Sequence, residues 1–144
     1  EGAIATHARS PLVVVGRRGR GKSAALGMAA AVLLQRSGGH VIVTSPSRSA
    51  TWQLFEAAER YLGPEGRAVR KGPFELRAGR RGHLQFVEPA ALLTAAGAAQ
   101  LRAAHFLLVD EAAGLPVATA AQLLHHARRV VLSTTLDGYE GSGQ

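Results

Sequence analysis

The stretch Gly16-Arg17-Arg18-Gly19-Arg20-Gly21-Lys22-Ser23 decides the fold. It is a complete G-x-x-x-x-G-K-S phosphate-binding loop, and the residues on both sides give it the required setting. Before it, Leu12-Val13-Val14-Val15 is an apolar, β-branched run that reads as a buried strand. After it, Ala24 to Gln35 is a run of helix formers without proline. The glycines allow a tight backbone turn whose successive N–H groups point inward at an anion. The start of the following helix, at Ala24, adds unsatisfied N–H donors and the positive end of its dipole. In such a loop Lys22 reaches the β- and γ-phosphates and the Ser23 hydroxyl holds Mg²⁺. Lys22→Ala is accordingly expected to abolish ATP binding and leave the fold intact.

Working outward, strands and helices alternate, which argues for a parallel sheet with crossover helices. Ser37-Gly38-Gly39 stops the first helix and His40–Thr44 forms a second buried strand. After Ser45-Pro46-Ser47, the segment Ala50–Leu62 has the spacing of an amphipathic helix ended by Gly63-Pro64. From Glu65 to Gly82 the composition turns to Gly, Arg and Pro, predicting an exposed, irregular stretch. Within it Phe74–Arg77 could pair with His83–Val87 as an antiparallel excursion. Pro89–Ala99 predicts a short helix, His105–Asp110 a third buried strand, Ala118–Arg128 a helix and Val130–Thr134 a fourth strand.

The third strand runs Phe106-Leu107-Leu108-Val109 directly into Asp110-Glu111. Apolar strand residues followed by two acids form the partner motif of the phosphate loop, usually called Walker B. Asp110 is the expected Mg²⁺ ligand, and Glu111 the group that orients and partly deprotonates an attacking water. Ligands at the carboxyl ends of parallel strands are the rule in open α/β sheets. Ser133-Thr134-Thr135 closes the fourth strand, and its spacing fits equally an ordinary strand end and a hydroxyl pair beside the γ-phosphate, with Thr134 the candidate contact. Thr44-Ser45-Pro46-Ser47-Arg48 offers hydroxyls and an arginine to a nucleic-acid backbone, although taken alone it reads better as a turn that caps the next helix. The cluster Arg67, Arg70, Lys71, Arg77, Arg80 and Arg81 suits an RNA-facing patch or a solvated loop equally well. His125-His126 lacks nearby carboxylates and reads as structural.

Composition sets the outer limits. A length of 144 residues fits one domain around a single sheet. The absence of cysteine excludes disulfides and thiolate metal sites. No stretch approaches the roughly 20 apolar residues of a membrane span. The net charge is +7, and every basic residue but Lys22 and Lys71 is an arginine, whose planar fork suits phosphate. The start Glu1-Gly2-Ala3-Ile4 resembles no signal or transit peptide, so the chain is expected to be cytoplasmic and cut from something longer.

Taken together, the Arg-rich loop through Gly27, Thr44-Ser45-Pro46, Leu108-Val109-Asp110-Glu111-Ala112-Ala113, Leu132-Ser133-Thr134-Thr135 and Gly138-Tyr139-Glu140-Gly141-Ser142-Gly143 resemble the helicase-like ATPase domain of the tRNA(Met) cytidine acetyltransferase family. The loop and acid motifs are shared by many ATPases, whereas Ser-Thr-Thr followed by Gly-Tyr-Glu-Gly-Ser-Gly is much more specific. The resemblance implies a single RecA-like P-loop domain over residues 1–144, a three-layer, mostly parallel sheet with helices on both faces. It implies that Gly16, Arg17, Arg18, Gly19, Arg20, Gly21, Lys22, Ser23 and Ala24 cradle ATP·Mg²⁺, with Asp110 and Thr134 opposite. It further implies RNA as partner, the elongator tRNA(Met), with Thr44, Ser45 and Arg48 as contacts. Acetyl-CoA would be used only in a separate acetyltransferase domain that this sequence does not contain. Two departures stand out: Gln144 occupies the position where the family motif continues with Arg, and the second lobe, a source of further arginines, is missing. The rival readings are the ATPase lobe of another nucleic-acid motor, a helicase or packaging ATPase, and a non-hydrolysing nucleotide-dependent RNA-binding module.

Overall fold

In the computed structural model, which describes residues 12–16 and 20–135, β1 (Leu12–Gly16) leads towards the long helix α1 (Arg20–Ser37). α1 begins four residues earlier than the sequence predicts, so that Gly21, Lys22 and Ser23 lie in its first turn. At its other end Ser37 Oγ donates to Leu33 O at 2.7 Å, and Gly38 takes a left-handed φ of 61° while its N–H donates to Leu34 O at 2.8 Å. This is the glycine stop expected from Ser37-Gly38-Gly39.

β2 (His40–Thr44) follows, then a 3₁₀ turn at Arg48–Thr51 and α2 (Trp52–Leu62). The chain next forms β3 (Ala68–Gly72), β4 (Glu75–Ala78) and β5 (Gly82–Phe86). It continues through α3 (Pro89–Leu92), α4 (Ala95–Ala103), β6 (Phe106–Val109), α5 (Val117–His126) and β7 (Val130–Thr135). Among the described residues the strands form one sheet in the order β1-β7-β6-β2-β5-β4-β3. β1, β7, β6, β2 and β5 run parallel, and β4 and β3 extend the sheet antiparallel.

Side-chain alternation along the inner strands builds two cores. Val41 and Val43 of β2, Leu108 of β6 and Val131 of β7 pack with Leu26, Ala30 and Leu34 of α1 and Leu54, Phe55 and Ala58 of α2. Ile42, Leu107, Val109 and Val130 point the other way, against Leu92, Leu101, Leu115 and Leu123. Strands buried on both faces must be apolar at consecutive positions, which is why these runs read as uninterrupted in the sequence. The mostly parallel, three-layer α/β architecture expected from the phosphate loop is the one observed.

α1 and α2 meet at Gly27, where a Cβ would run into the Leu54 carbonyl oxygen and the Ala57 methyl. Two expectations need correction. The stretch 65–82 is ordered as β3, the β3–β4 turn and β4, not irregular; only its short, charged strands made it look so. The helix expected at Pro89–Ala99 is split, because Thr94 caps a second helix: its Oγ1 accepts from the Gly97 N–H at 3.0 Å and donates to Ala91 O at 2.7 Å.

Candidate functional site

Among the described residues, the candidate nucleotide-binding groups sit at the carboxyl edge of the parallel strands. β7 lies between β1 and β6, so Gly16 is registered with Thr135 while β6 delivers Asp110 one strand further on. Arg17, Arg18 and Gly19, together with the Gly138–Gly143 tail and Gln144, lie outside the described residues. Of the remaining loop positions, Gly16 closes β1, and Arg20, Gly21, Lys22, Ser23 and Ala24 open α1. The first-turn N–H groups have no intrahelical acceptor and point out of the helix N-terminus.

Lys22 links the two motifs across 88 residues. Its Nζ lies 2.5 Å from Asp110 Oδ1 and 3.3 Å from Glu111 Oε2, with the lysine and Asp110 side chains 7% and 3% exposed and that of Glu111 40%. One ammonium thus faces two carboxylates in a largely dry setting, where removal of either partner of a close pair is costly. The side chain packs on a buried acid as well as facing the site, so a cost in stability joins the loss of binding expected of Lys22→Ala. Asp110 is anchored through its backbone N–H, which donates to Thr44 O at 2.9 Å and extends the β2–β6 ladder.

Glu111 adopts a left-handed conformation, φ 57° and ψ 52°, uncommon for a residue with a Cβ. Its carbonyl accepts the Gly114 N–H at 2.9 Å, so the chain turns sharply after Asp110. A Cβ at Gly114 would press on Pro46 Cγ at 2.9 Å, which shows how closely the acidic turn packs on the loop after β2.

That loop follows the turn reading of its sequence more than the nucleic-acid one. Thr44 is fully buried and its Oγ1 donates to Val87 O at 2.7 Å. Ser45 is also buried, and its Oγ accepts the Ser47 N–H at 3.2 Å. Both hydroxyls shape the loop, and only Arg48 of the three nucleic-acid candidates is exposed, its guanidinium 5.2 Å above the Phe74 ring. At the end of β7, Thr134 is partly exposed, while its neighbour Ser133 is fully buried with an Oγ that has no hydrogen-bond partner among the described residues. An orphaned hydroxyl is costly unless something satisfies it. Ser133 was legible only as half of a hydroxyl pair, because burial cannot be read from spacing.

Chemically, the arrangement offers helix-start N–H groups and an ammonium to an anion, and hard oxygen donors to a small cation. Ser23, which is 9% exposed, and Asp110 offer oxygen donors of the kind Mg²⁺ prefers, and Lys22 against the two acids leaves one negative charge in excess.

Comparison with known proteins gives a consistent result. Residues 13–144 match the family model described as RNA cytidine acetyltransferase NAT10/TcmA, helicase domain. The chain is 42% identical over 136 residues to tRNA(Met) cytidine acetyltransferase TmcA of Nitrosococcus halophilus, covering 94% of this chain and 17% of that protein. It is 37% identical over 141 residues to TmcA of Vibrio cholerae (98% and 18% covered) and 32% identical over 163 residues to the RNA cytidine acetyltransferase of Homo sapiens (100% and 15% covered). The chain therefore spans about a sixth of the length of these curated relatives. Among solved structures, the N-terminal domain of the bacteriophage phi29 DNA packaging ATPase superposes with a TM-score of 0.58 at 17% identity, over 94% of this chain and 79% of that one. A Thermus phage large terminase ATPase domain gives 0.57 at 18% identity, over 90% and 61%. These structural likenesses establish the RecA-like P-loop fold.

Proposed function

Because the chain belongs to the helicase-domain family of the RNA cytidine acetyltransferases NAT10/TcmA, we propose that it binds and hydrolyses ATP and couples that cycle to positioning RNA for cytidine acetylation. The observation that carries this reading is the Lys22 ammonium held between Asp110 and Glu111 at the carboxyl edge of the sheet. A lysine in the first turn of a helix, bridged to acids at the end of another strand, is poised to exchange carboxylate partners for phosphate oxygens.

In this account the α1 N–H groups and Lys22 take the β- and γ-phosphates. Ser23 and Asp110 hold Mg²⁺, which when bound neutralises charge on the phosphate oxygens. Glu111, relieved of Lys22, accepts a hydrogen bond from water and orients it for in-line attack on the γ-phosphorus. The water proton passes towards the Glu111 carboxylate, and ADP leaves with the electron pair of the broken P–O bond. Ser133 gives the site a buried hydroxyl without a hydrogen-bond partner among the described residues, and Thr134 a more exposed one.

The acetyl transfer from acetyl-CoA belongs, on this reading, to a part of the protein outside residues 1–144, which form one RecA-like module of a longer enzyme. The substrate RNA is tRNA(Met), the molecule named for the bacterial relatives, and the elongator form is the target. A soluble, cytoplasmic setting goes with it; among the described residues no helix is long and apolar enough to cross a membrane. The test is ATP binding and turnover with and without Mg²⁺, elongator tRNA(Met) transcript and duplex DNA. Mg²⁺-dependent turnover stimulated by the tRNA over the DNA supports the proposal. Stimulation by DNA alone would favour a packaging-type motor, and absence of ATP binding would overturn the reading.

A further inference from the structure

Trp52, the only tryptophan of the chain, is 48% exposed at the first position of α2. It lines an open groove of about 900 Å³ between α2 and the β3–β4 turn. The turn lies at the same edge of the sheet as the Lys22 site, because β5 runs parallel to β2 and β4 runs antiparallel to β5. The opposite side of Trp52 lines a second, smaller hollow with Ala24, the residue that follows Ser23.

The groove is built rather than incidental. Phe74 packs edge-on against Phe55, with ring centres 6.1 Å apart, and at a tilt on Phe86 at 6.3 Å, which fixes one wall. Arg70 holds the turn from behind: Nε donates to Gly72 O at 3.0 Å and Nη2 to Pro73 O at 3.2 Å. Its Nη1 meets Glu59 Oε1 at 2.8 Å and Glu56 Oε2 at 3.4 Å, offsetting one of the two negative charges that line the groove. Arg48 and Lys71 are exposed at its margins, and among the described residues neither has a carboxylate partner. A half-exposed indole beside aromatic and proline groups, with two cations at the rim that lack carboxylate partners among the described residues, is the chemistry that receives an unpaired base and its phosphates. The charge of +7 favours a polyanion over an acid-free protein surface.

We propose that this groove is a stacking site for a single-stranded RNA segment, with Trp52 as the stacking residue and Arg48 and Lys71 holding the flanking phosphates. The proposal rests on the RNA-positioning role proposed above and gives it a location. Sequence reading missed Trp52 because a lone aromatic at a helix start looks like core. The groove also gives the exposed Arg48 a partner to act with, in place of the buried Thr44 and Ser45.

The experiment is a titration of the chain with an unstructured single-stranded RNA dodecamer, reading Trp52 emission and, in parallel, the anisotropy of a labelled copy of the RNA. A saturable change in emission that tracks the anisotropy is expected. Trp52→Ala should weaken RNA binding on the order of tenfold or more, and Trp52→Phe should retain most of it. Lys71→Ala should lower the steepness of the salt dependence by about one. Trp52 is half-exposed, and a melting curve verifies that its variants fold. RNA binding of unchanged affinity in Trp52→Ala, binding without an emission change, or no RNA binding at all would overturn the proposal. So would loss of self-association in Trp52→Ala, which would assign the groove to a protein contact. ATP affinity measured on the same samples separates the two readings: failure of the groove alone leaves ATP binding intact, whereas failure of the nucleotide site removes it from the unaltered chain.

Discussion

The two ends of the sheet are built on different terms. At the β7-β6-β2 end, helices cover both faces, the inner strand residues are mostly apolar on both sides, and Lys22 and Asp110 are buried against each other. At the β5-β4-β3 end, α1 and α2 cover one face only, through Leu76 and Leu84, and none of the second core comes from these strands. Their other face carries Val69, Arg77 and His83. The first end concentrates charge where water is scarce and each interaction is strong; the second spreads it where solvent weakens every pair. On the proposed function, chemistry belongs to the former and RNA docking to the latter.

The largest effect that would break this contrast is at Lys22. Lys22→Ala should lower the stability of the ligand-free chain by about 3 kcal/mol, since it leaves Asp110 buried without its partner. Adding Asp110→Asn should recover part of that stability and none of the ATP affinity. Chemical denaturation with ATP titration of both variants decides it. A stability loss under about 0.5 kcal/mol would place Lys22 among ordinary exposed pairs.

Next in size is Gly27→Ala, which sharpens the comparison because α1 and α2 join the two ends. The added methyl meets the α2 backbone and Ala57, so a loss of about 1–3 kcal/mol is expected from thermal unfolding. Unchanged stability would mean that the helices separate freely. Arg70→Ala, at the solvated end, should cost about 1 kcal/mol or less, because both glutamates are well exposed.

The smallest effect concerns His40, at the boundary between the ends. Burial, and then the charge of neighbouring His83, hold its pKa below the ordinary 6.5; His105 and Arg77 act in the same direction and a hydrogen bond with Gln85 opposes them. As pH falls, the unfolded chain takes up this proton before the folded one does. The His40 contribution is therefore absent above that value and destabilising below it. His40→Gln should flatten the decline in stability between neutral and mildly acidic pH, and an identical slope would remove His40 from the account.

The same contrast explains what the sequence disclosed. Val41-Ile42-Val43 and Phe106-Leu107-Leu108-Val109 could hardly be anything but two-sided buried strands, and the phosphate loop and the Asp110-Glu111 pair bracket them at fixed ends. β3 was hidden because Ala68-Val69-Arg70-Lys71-Gly72 alternates between half-buried and exposed positions and carries two adjacent charges. The split between α3 and α4 depended on a single threonine cap at Thr94. In the site, residue types and order were legible, but which hydroxyls are buried was not. Thr44 and Ser45 looked available from their chemistry and are consumed by Val87 and Ser47, and Ser133 became visible only once its burial was known.

The most direct test is ATP turnover and ATP affinity of the chain beside its Glu111→Gln variant, in Mg²⁺. The account predicts similar affinity in both and a loss of turnover on the order of a hundredfold in the variant. Equal turnover in the two, or no ATP binding by the unaltered chain, would contradict it.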